Sequence, residues 1–410
     1  MLLRRVGSWI GSHRVQAGVI GAIGLAVPAI ILLSIIHYSQ VAGQRSQSLL
    51  NLTHAGASAA VSASPAASPS SSPSPSPTPT PTPTVEPTAS PTPTSTLANV
   101  VGAIPSAPPY SSSPTGRGAA QFAYDTTHHV AVMFGGFGDG DGNTWTWDGR
   151  AWTVQPAALS PPSRRGGILI DDPVRHQLLL FGGWALDSTY LADTWTWDGS
   201  RWTQRSSARS PSARGFASAA FDSRRGNVVL FGGYDEKAFL TDMWTWDGTQ
   251  WAPKAVPAGT PALSQVGMAY RKADDTLVVV GERTQATTIF MGLQTWVDDG
   301  ESWRQLTGGD TPCDHHYGGA AQDLSTDAVV VIGGQCGSTT EVATWQSGAW
   351  RVMSPTPAPD SRGQEAGRPA LTYDPDRHLM LVFGGVGNMG NATPYSDLWG
   401  WNGSAWTRLS

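Results

Sequence analysis

The stretch that decides the fold runs Gln177-Leu-Leu-Leu-Phe-Gly-Gly183 and, after a variable loop, Asp193-Thr-Trp-Thr-Trp-Asp-Gly-Ser-Arg-Trp202. An apolar run ends in paired glycines. Tryptophans then occupy alternate residues, and Asp-Gly turns the chain toward one more Trp. The glycine step recurs six times, closing runs that end at Phe134, Phe181, Phe231, Val280, Ile332 and Phe383, 47 to 52 residues apart. A constant period of this size marks an array or a propeller.

Each unit reads as four strands. Nine residues before the step stands an Asp in five copies (Asp125, Asp172, Asp222, Asp323, Asp374), with Arg271 in the fourth. An Asp there bonds its own backbone and starts a reversal. Before it lies a segment of small residues such as Gly215-Phe-Ala-Ser-Ala-Ala-Phe221, suited to crowding about an axis. After it comes a partly β-branched run of about five residues, which reads as a strand buried on both faces. In the third strand Trp195 and Trp197 are two apart and share a face. Asp-Gly marks the hairpin that leads to the fourth. Six such units predict an all-β, six-bladed propeller over 116–410, its tryptophans filling the gaps between blades.

Composition narrows the rest. Charged residues make up 14 % and the net charge is −5, which argues against a nucleic-acid partner. Of 18 tryptophans, all but Trp9 and Trp184 fall in the repeated motif, so this excess serves packing. Arg4, Arg5 and Arg14 precede an uncharged run from Val15 to Ile36, long enough to span a bilayer as a helix. The arginine bias predicts a cytoplasmic N-terminus (1–14), a signal-anchor helix (15–37) and an extracellular remainder at the cell membrane. A cleaved signal peptide is the alternative, and the bulk is exported either way. Residues 38–115 are dominated by Ser, Thr and Pro, with near-strict alternation from Ser72 to Thr84. Such a segment builds no core and is biased toward polyproline II, which makes it a stalk.

The apolar run, double glycine, alternating aromatics and later Trp resemble the kelch repeat, found in kelch propellers and in galactose oxidase's central domain. The resemblance covers Arg117 to Ser410 and implies a propeller. Val280-Gly281-Glu282 departs from it by lacking the second glycine, and Asp298 and Ala343 replace ladder tryptophans. Kelch rings usually close by borrowing a strand from the opposite terminus. Here every blade is contiguous, so the closing seam is expected to rest on side chains, with Leu97 to Ile104 available as an extra strand.

Seventeen residues before each step stand Arg117, Arg164, Arg214, Leu263, His315 and Ala366. At the head of the innermost strands, the three arginines and His315, with His316 beside it, would make a basic rim for a carboxylate, acidic sugar or acidic peptide. The resemblance implies the same, since kelch relatives bind acidic partners at such rims. The competing reading has each arginine pair with local carbonyls or stack on a Trp. Trp184, Tyr190, Tyr234, Phe239, Phe290 and Tyr395 lie in loops after the second strand, where aromatics suit sugar or peptide binding. Cys313 and Cys336 flank one strand pair and predict a disulfide in an exported domain. His315, His316 and Tyr317 are similar in type to galactose oxidase's copper ligands, but no further ligand set is recognisable; no metal, cofactor or catalytic residue is therefore assigned.

The first functional expectation is a surface-displayed binding or adhesion module for a glycan or an acidic peptide. It would use the face carrying 137–143, 184–192, 234–241 and 386–396. The alternative is an exported enzyme acting on sugars, of galactose-oxidase or sialic-acid-epimerase type, with Glu282 and Glu341 as candidate acids.

Overall fold

The computed structural model describes residues 113–410 except 139–141, 257–258, 286–287, 307–318, 334–339, 347, 363–366 and 388–392; at 264–266 and 282–293 it describes the backbone alone. The expected anchor, and all but the end of the expected stalk, lie outside the described residues. Among those described, no helix is long and apolar enough to cross a membrane.

Six antiparallel sheets follow one another, each a four-stranded meander in chain order, to which blade two adds the short strand Arg164–Arg165 on the end of its second strand. Blade one is built from Gln121–Asp125, Val130–Phe134, Thr144–Trp147 and Trp152–Gln155. Blade two uses Ile168–Asp172, Gln177–Ala185, Tyr190–Trp197 and Trp202–Arg205. Blade three uses Ser218–Asp222, Asn227–Phe231, Met243–Trp246 and Trp251–Lys254. Blade four uses Leu263–Arg271, Thr276–Gln285, Thr288–Asp298 and Trp303–Leu306. Blade five uses Gly319–Asp323, Ala328–Ile332, Val342–Gln346 and Ala349–Met353. Blade six uses Ala370–Asp374, Leu379–Phe383, Leu398–Trp401 and Trp406–Arg408. The first strand of each blade packs on the first strands of both neighbours, blade six on blade one included. A cavity of about 580 Å³ runs between these inner strands, lined from all six blades. The fold is a closed six-bladed propeller around a central channel.

The core is divided between blades, not within them. Each of its six apolar clusters joins two consecutive blades. The recurrent contact sets the Phe of one glycine step against the fourth-strand Trp of the next blade. Ring centroids are 5.5 Å apart for Phe134–Trp202, 5.2 Å for Phe181–Trp251 and 5.4 Å for Phe231–Trp303. Within a blade that Trp leans on the second ladder Trp, as in Trp197–Trp202 at 5.3 Å. The ladder therefore fills the wedge that opens outward from the axis. The turn-starting aspartates do what their position requires: Asp125, Asp222 and Asp374 each accept two backbone N–H bonds from the turn that follows.

The paired glycines have a specific cause. Gly182 and Gly183 both take left-handed backbone, with φ of +63° and +111°. The Gly183 N–H donates to the Arg214 carbonyl of the next blade at 2.8 Å, and a Cβ on Gly182 would collide with that same carbonyl. Gly136 makes the equivalent bond to Arg164 at 2.8 Å, and Gly385 to Arg117 at 2.9 Å. Only residues without a Cβ allow one blade's backbone to approach the next so closely.

That last bond corrects one expectation. The closing seam does not rest on side chains alone, because it carries the same backbone link as the junctions of blades one and two and of blades two and three. It adds Ala119 N–H to the Arg368 carbonyl at 2.7 Å and Arg117 N–H to the Tyr395 carbonyl at 3.2 Å. It also repeats the Phe–Trp contact, with Phe383 and Trp152 at 5.5 Å. Below, the Asp376 carboxylate accepts from the Tyr124 hydroxyl and meets His129 Nδ1, both at 2.7 Å.

Candidate functional site

The rim arginines are where the structure and the expected basic rim part company. Arg117, Arg164 and Arg214 are 0 %, 0 % and 1 % exposed. In each, Nε donates to the carbonyl two residues earlier (Thr115, Pro162, Ser212), and one terminal nitrogen donates to the first glycine of its own step (Gly135, Gly182, Gly232). Arg164 also grips Asp193 with two bonds of 2.6 and 2.7 Å, and Arg214 grips Asp242 at 2.6 and 2.8 Å. The competing reading, arginines bound to local carbonyls, describes these side chains. All three clip the head of the first strand to the glycine step of the same blade, Arg164 and Arg214 tie in the acid before the ladder as well, and, buried, they present no charge to a ligand.

In blade six the clip is Arg362, four residues ahead of the counted position Ala366, donating to the Asp360 and Gly384 carbonyls and to both oxygens of Asp397. The acid partners were missed in the sequence, although they stand in plain register two residues before the first ladder Trp. Asp193, Asp242 and Asp397 each also accept that indole N–H, at 2.7, 2.7 and 2.6 Å. Burial opposes ionisation of all three, but the arginine bonds and charge outweigh it and hold each carboxyl below its ordinary pKa. Leu263, the blade-four counterpart, is a fully buried core residue.

The loop aromatics do come together. In blade two the hairpin runs past its glycines, so that Tyr190 faces Trp184 and Arg165 pairs with Trp184 on the other side. Asp187 shapes the loop tip by accepting from the Thr189 N–H and hydroxyl. The Trp184 and Tyr190 rings stack with centroids 5.7 Å apart and planes 5° from parallel. Tyr190 meets Tyr234 edge-on at 6.0 Å, and Tyr234 meets Phe239 at 4.9 Å. At the other end the Arg165 guanidinium lies 3.8 Å from the Trp184 ring and 5.3 Å from Phe137. The result is a half-buried ribbon, Phe137–Arg165–Trp184–Tyr190–Tyr234–Phe239, crossing blades one to three on the face of the loops after strand two. Burial, chiefly, raises the Tyr190 phenol to about 12, so it remains a neutral hydrogen-bond donor. Tyr395 stands apart in blade six, under Arg362 with the guanidinium 4.5 Å from its ring. Phe290, His315, His316, Tyr317, Cys313 and Cys336 lie outside the described residues or have undescribed side chains. So do the disulfide and the copper-like cluster.

Two channel residues carry chemistry that the sequence did not flag. Arg368 stands two residues before the inner strand of blade six and projects across the channel, its guanidinium 5.2 Å from the Phe216 ring of blade three. Desolvation lowers its pKa to about 10. At the opposite end, Asp171 accepts from the Thr126 hydroxyl while its Oδ1 is buried without a partner among the described residues. Desolvation raises its carboxyl to about 7. Among the described residues no group of three or more His, Cys, Asp or Glu side chains is placed to hold a metal ion.

Fold and site together define a six-bladed propeller with an aromatic ribbon on one face and charged groups at both ends of its channel. No protein-family model matches the chain, and no curated protein matches it.

Proposed function

We propose that the chain is a kelch-type propeller, held at the cell surface by its N-terminal helix and stalk, that binds carbohydrate through its long-loop face. The observation that carries this reading is the ribbon itself. Aromatic rings in side-by-side contact, edged by a guanidinium and a neutral phenol, offer flat apolar surface beside directional donors, the combination a pyranose ring needs. Packing of the same type deep inside a blade would serve stability alone; here the rings lie beyond the paired glycines, on hairpin extensions and loop tips outside the six core clusters. An acidic peptide is the other ligand class expected of such a face, and the ribbon favours sugar over it because its area is aromatic.

The test is a glycan array probed with the purified full-length chain, followed by titration of the hits against W184A and Y190A. A saccharide whose affinity falls at least tenfold in both variants, with thermal unfolding unchanged, is the expected result. A blank array, or hits indifferent to both substitutions, removes the reading.

A further inference from the structure

Resting on that reading, we infer that the saccharide is an acidic one, whose carboxylate is received by Arg368 at the channel mouth on the ribbon's face. Arg368 differs from every buried arginine described above. Arg117, Arg164, Arg214 and Arg362 each direct at least three hydrogen bonds to their own blade. The Arg368 guanidinium has none among the described residues. Its one described partner is the Phe216 ring, and it borders the 580 Å³ cavity.

The backbone around it is built with care. Ala119 N–H bonds the Arg368 carbonyl at 2.7 Å, Gly166 N–H the Ala119 carbonyl at 2.9 Å, and Phe216 N–H the Gly166 carbonyl at 2.6 Å. This chain of bonds rings the mouth through blades six, one, two and three. It holds Phe216 at a φ of +58°, a left-handed conformation that is costly for a bulky residue. Such strain persists where the surroundings over-determine it, and it gathers at ligand clamps. Here it lays the Phe216 ring beside Gly166, where a Cβ on Gly166 would come within 2.6 Å of the ring, and beneath Arg368.

The mouth also connects to the ribbon. The Tyr190 ring packs over Gly215, the residue before Phe216, and Tyr234 bonds Gly215 in both directions. A sugar lying on Trp184 and Tyr190 thus reaches the guanidinium through its neighbouring unit. The cavity's described acids, Asp171 and Asp327, follow the inner strands or end them and sit toward the far opening, so no described carboxylate competes for Arg368. A planar guanidinium in a partly desolvated mouth selects a carboxylate through two parallel bonds.

The experiment titrates the full-length chain with oligogalacturonates and oligoglucuronates, each paired with its carboxyl-reduced counterpart, and repeats the series with R368Q, R368K and W184A. The acid form should bind the wild-type chain about 10- to 100-fold more tightly than the reduced form, the gain expected of a charge-assisted bond. R368Q should bring the acid form down to the reduced form's level, R368K should retain part of the preference, and W184A should weaken both forms alike. Equal affinity for the two forms overturns the inference, and that comparison needs no variant to fold. Unchanged acid binding in R368Q also overturns it, and a fall in its unfolding temperature alone would make Arg368 one more internal clip. Polyglutamate that displaces the uronide equally well moves the site to peptides and overturns the saccharide assignment. Failure of the proposed function looks different: W184A then changes nothing for either form.

Discussion

Blades two and three share a fold with blade four but hold it by different means. In blades two and three an Arg–Asp pair clips the blade (Arg164–Asp193, Arg214–Asp242). Blade four has lost both charges together: Leu263 stands for the arginine and Gln294 for the acid, and Gln294 still accepts the Trp296 indole N–H at 3.1 Å. A second contrast lies one residue on. Trp251 donates across the blade junction to the Thr194 hydroxyl at 2.9 Å, as Trp202 does to Thr144 at 2.7 Å and Trp350 to Thr295 at 2.8 Å. Where Met243 and Val342 occupy the threonine's place, the indole N–H groups of Trp303 and Trp406 are buried without a partner among the described residues. The lesson is that the two kinds of group obey different rules. The buried charge stands with its complement in blades two, three and six and is absent together with it in blade four, because a lone buried charge costs more than the pair or neither; the tryptophan is kept for its bulk even where its donor goes unmatched.

The sharpest way to break that contrast is Asp193→Ala, which strands the Arg164 charge in a dry pocket. It should cost about 3–5 kcal/mol, read as a shift in the urea or thermal midpoint. The double change Arg164→Leu with Asp193→Gln, which copies blade four, should recover most of that loss. A double variant no better than the single one would show that the pair acts as two independent contacts.

The next effect depends on pH and sets the two kinds of buried carboxylate against each other. Asp193, Asp242 and Asp397 have lowered pKa values, so the stability they lend is present above the ordinary carboxylate range and lost as pH falls through their folded values, below about pH 4. Asp171 is the reverse: raised to about 7 by burial, it favours the folded state when protonated, and stability declines as pH climbs from about 4 toward 7. Asp171→Asn should therefore flatten the limb of the unfolding midpoint between about pH 4 and 7 by on the order of 2 kcal/mol, leaving the acid limb in place. An unchanged limb would assign it to other groups.

The smallest expected effect tests what the indole pairing contributes. Thr194→Val should destabilise by about 1–2 kcal/mol because the Trp251 N–H is left unpaired. Val342→Thr, nearly the same change reversed, should be neutral or stabilising by about 1 kcal/mol by giving Trp406 an acceptor. Equal penalties in both directions would mean that side-chain shape, not pairing, decides this position.

The six blades, their four strands, the turn aspartates and the inter-blade tryptophans were legible in the chain, because each leaves a periodic or local mark. The arginine clips were half legible. Arg117, Arg164 and Arg214 stood in register, yet the last two are aimed by an acid 29 and 28 residues downstream, and Arg362 was displaced from the count by an insertion. The ribbon's members Trp184, Tyr190, Tyr234 and Phe239 were identifiable as loop aromatics, but their stacking follows from the extended hairpin of blade two. Arg368 was invisible, since nothing near it in sequence names Phe216, some 150 residues earlier, as the ring it faces.

By itself the sequence determined how many blades there are and which apolar residues pack between them, since alternation and turn chemistry act over a few residues. The tertiary structure alone decided which charges were cancelled and which were left facing the channel. That outcome depends on what ring closure brings within 3 Å of each guanidinium, and no local pattern contains it.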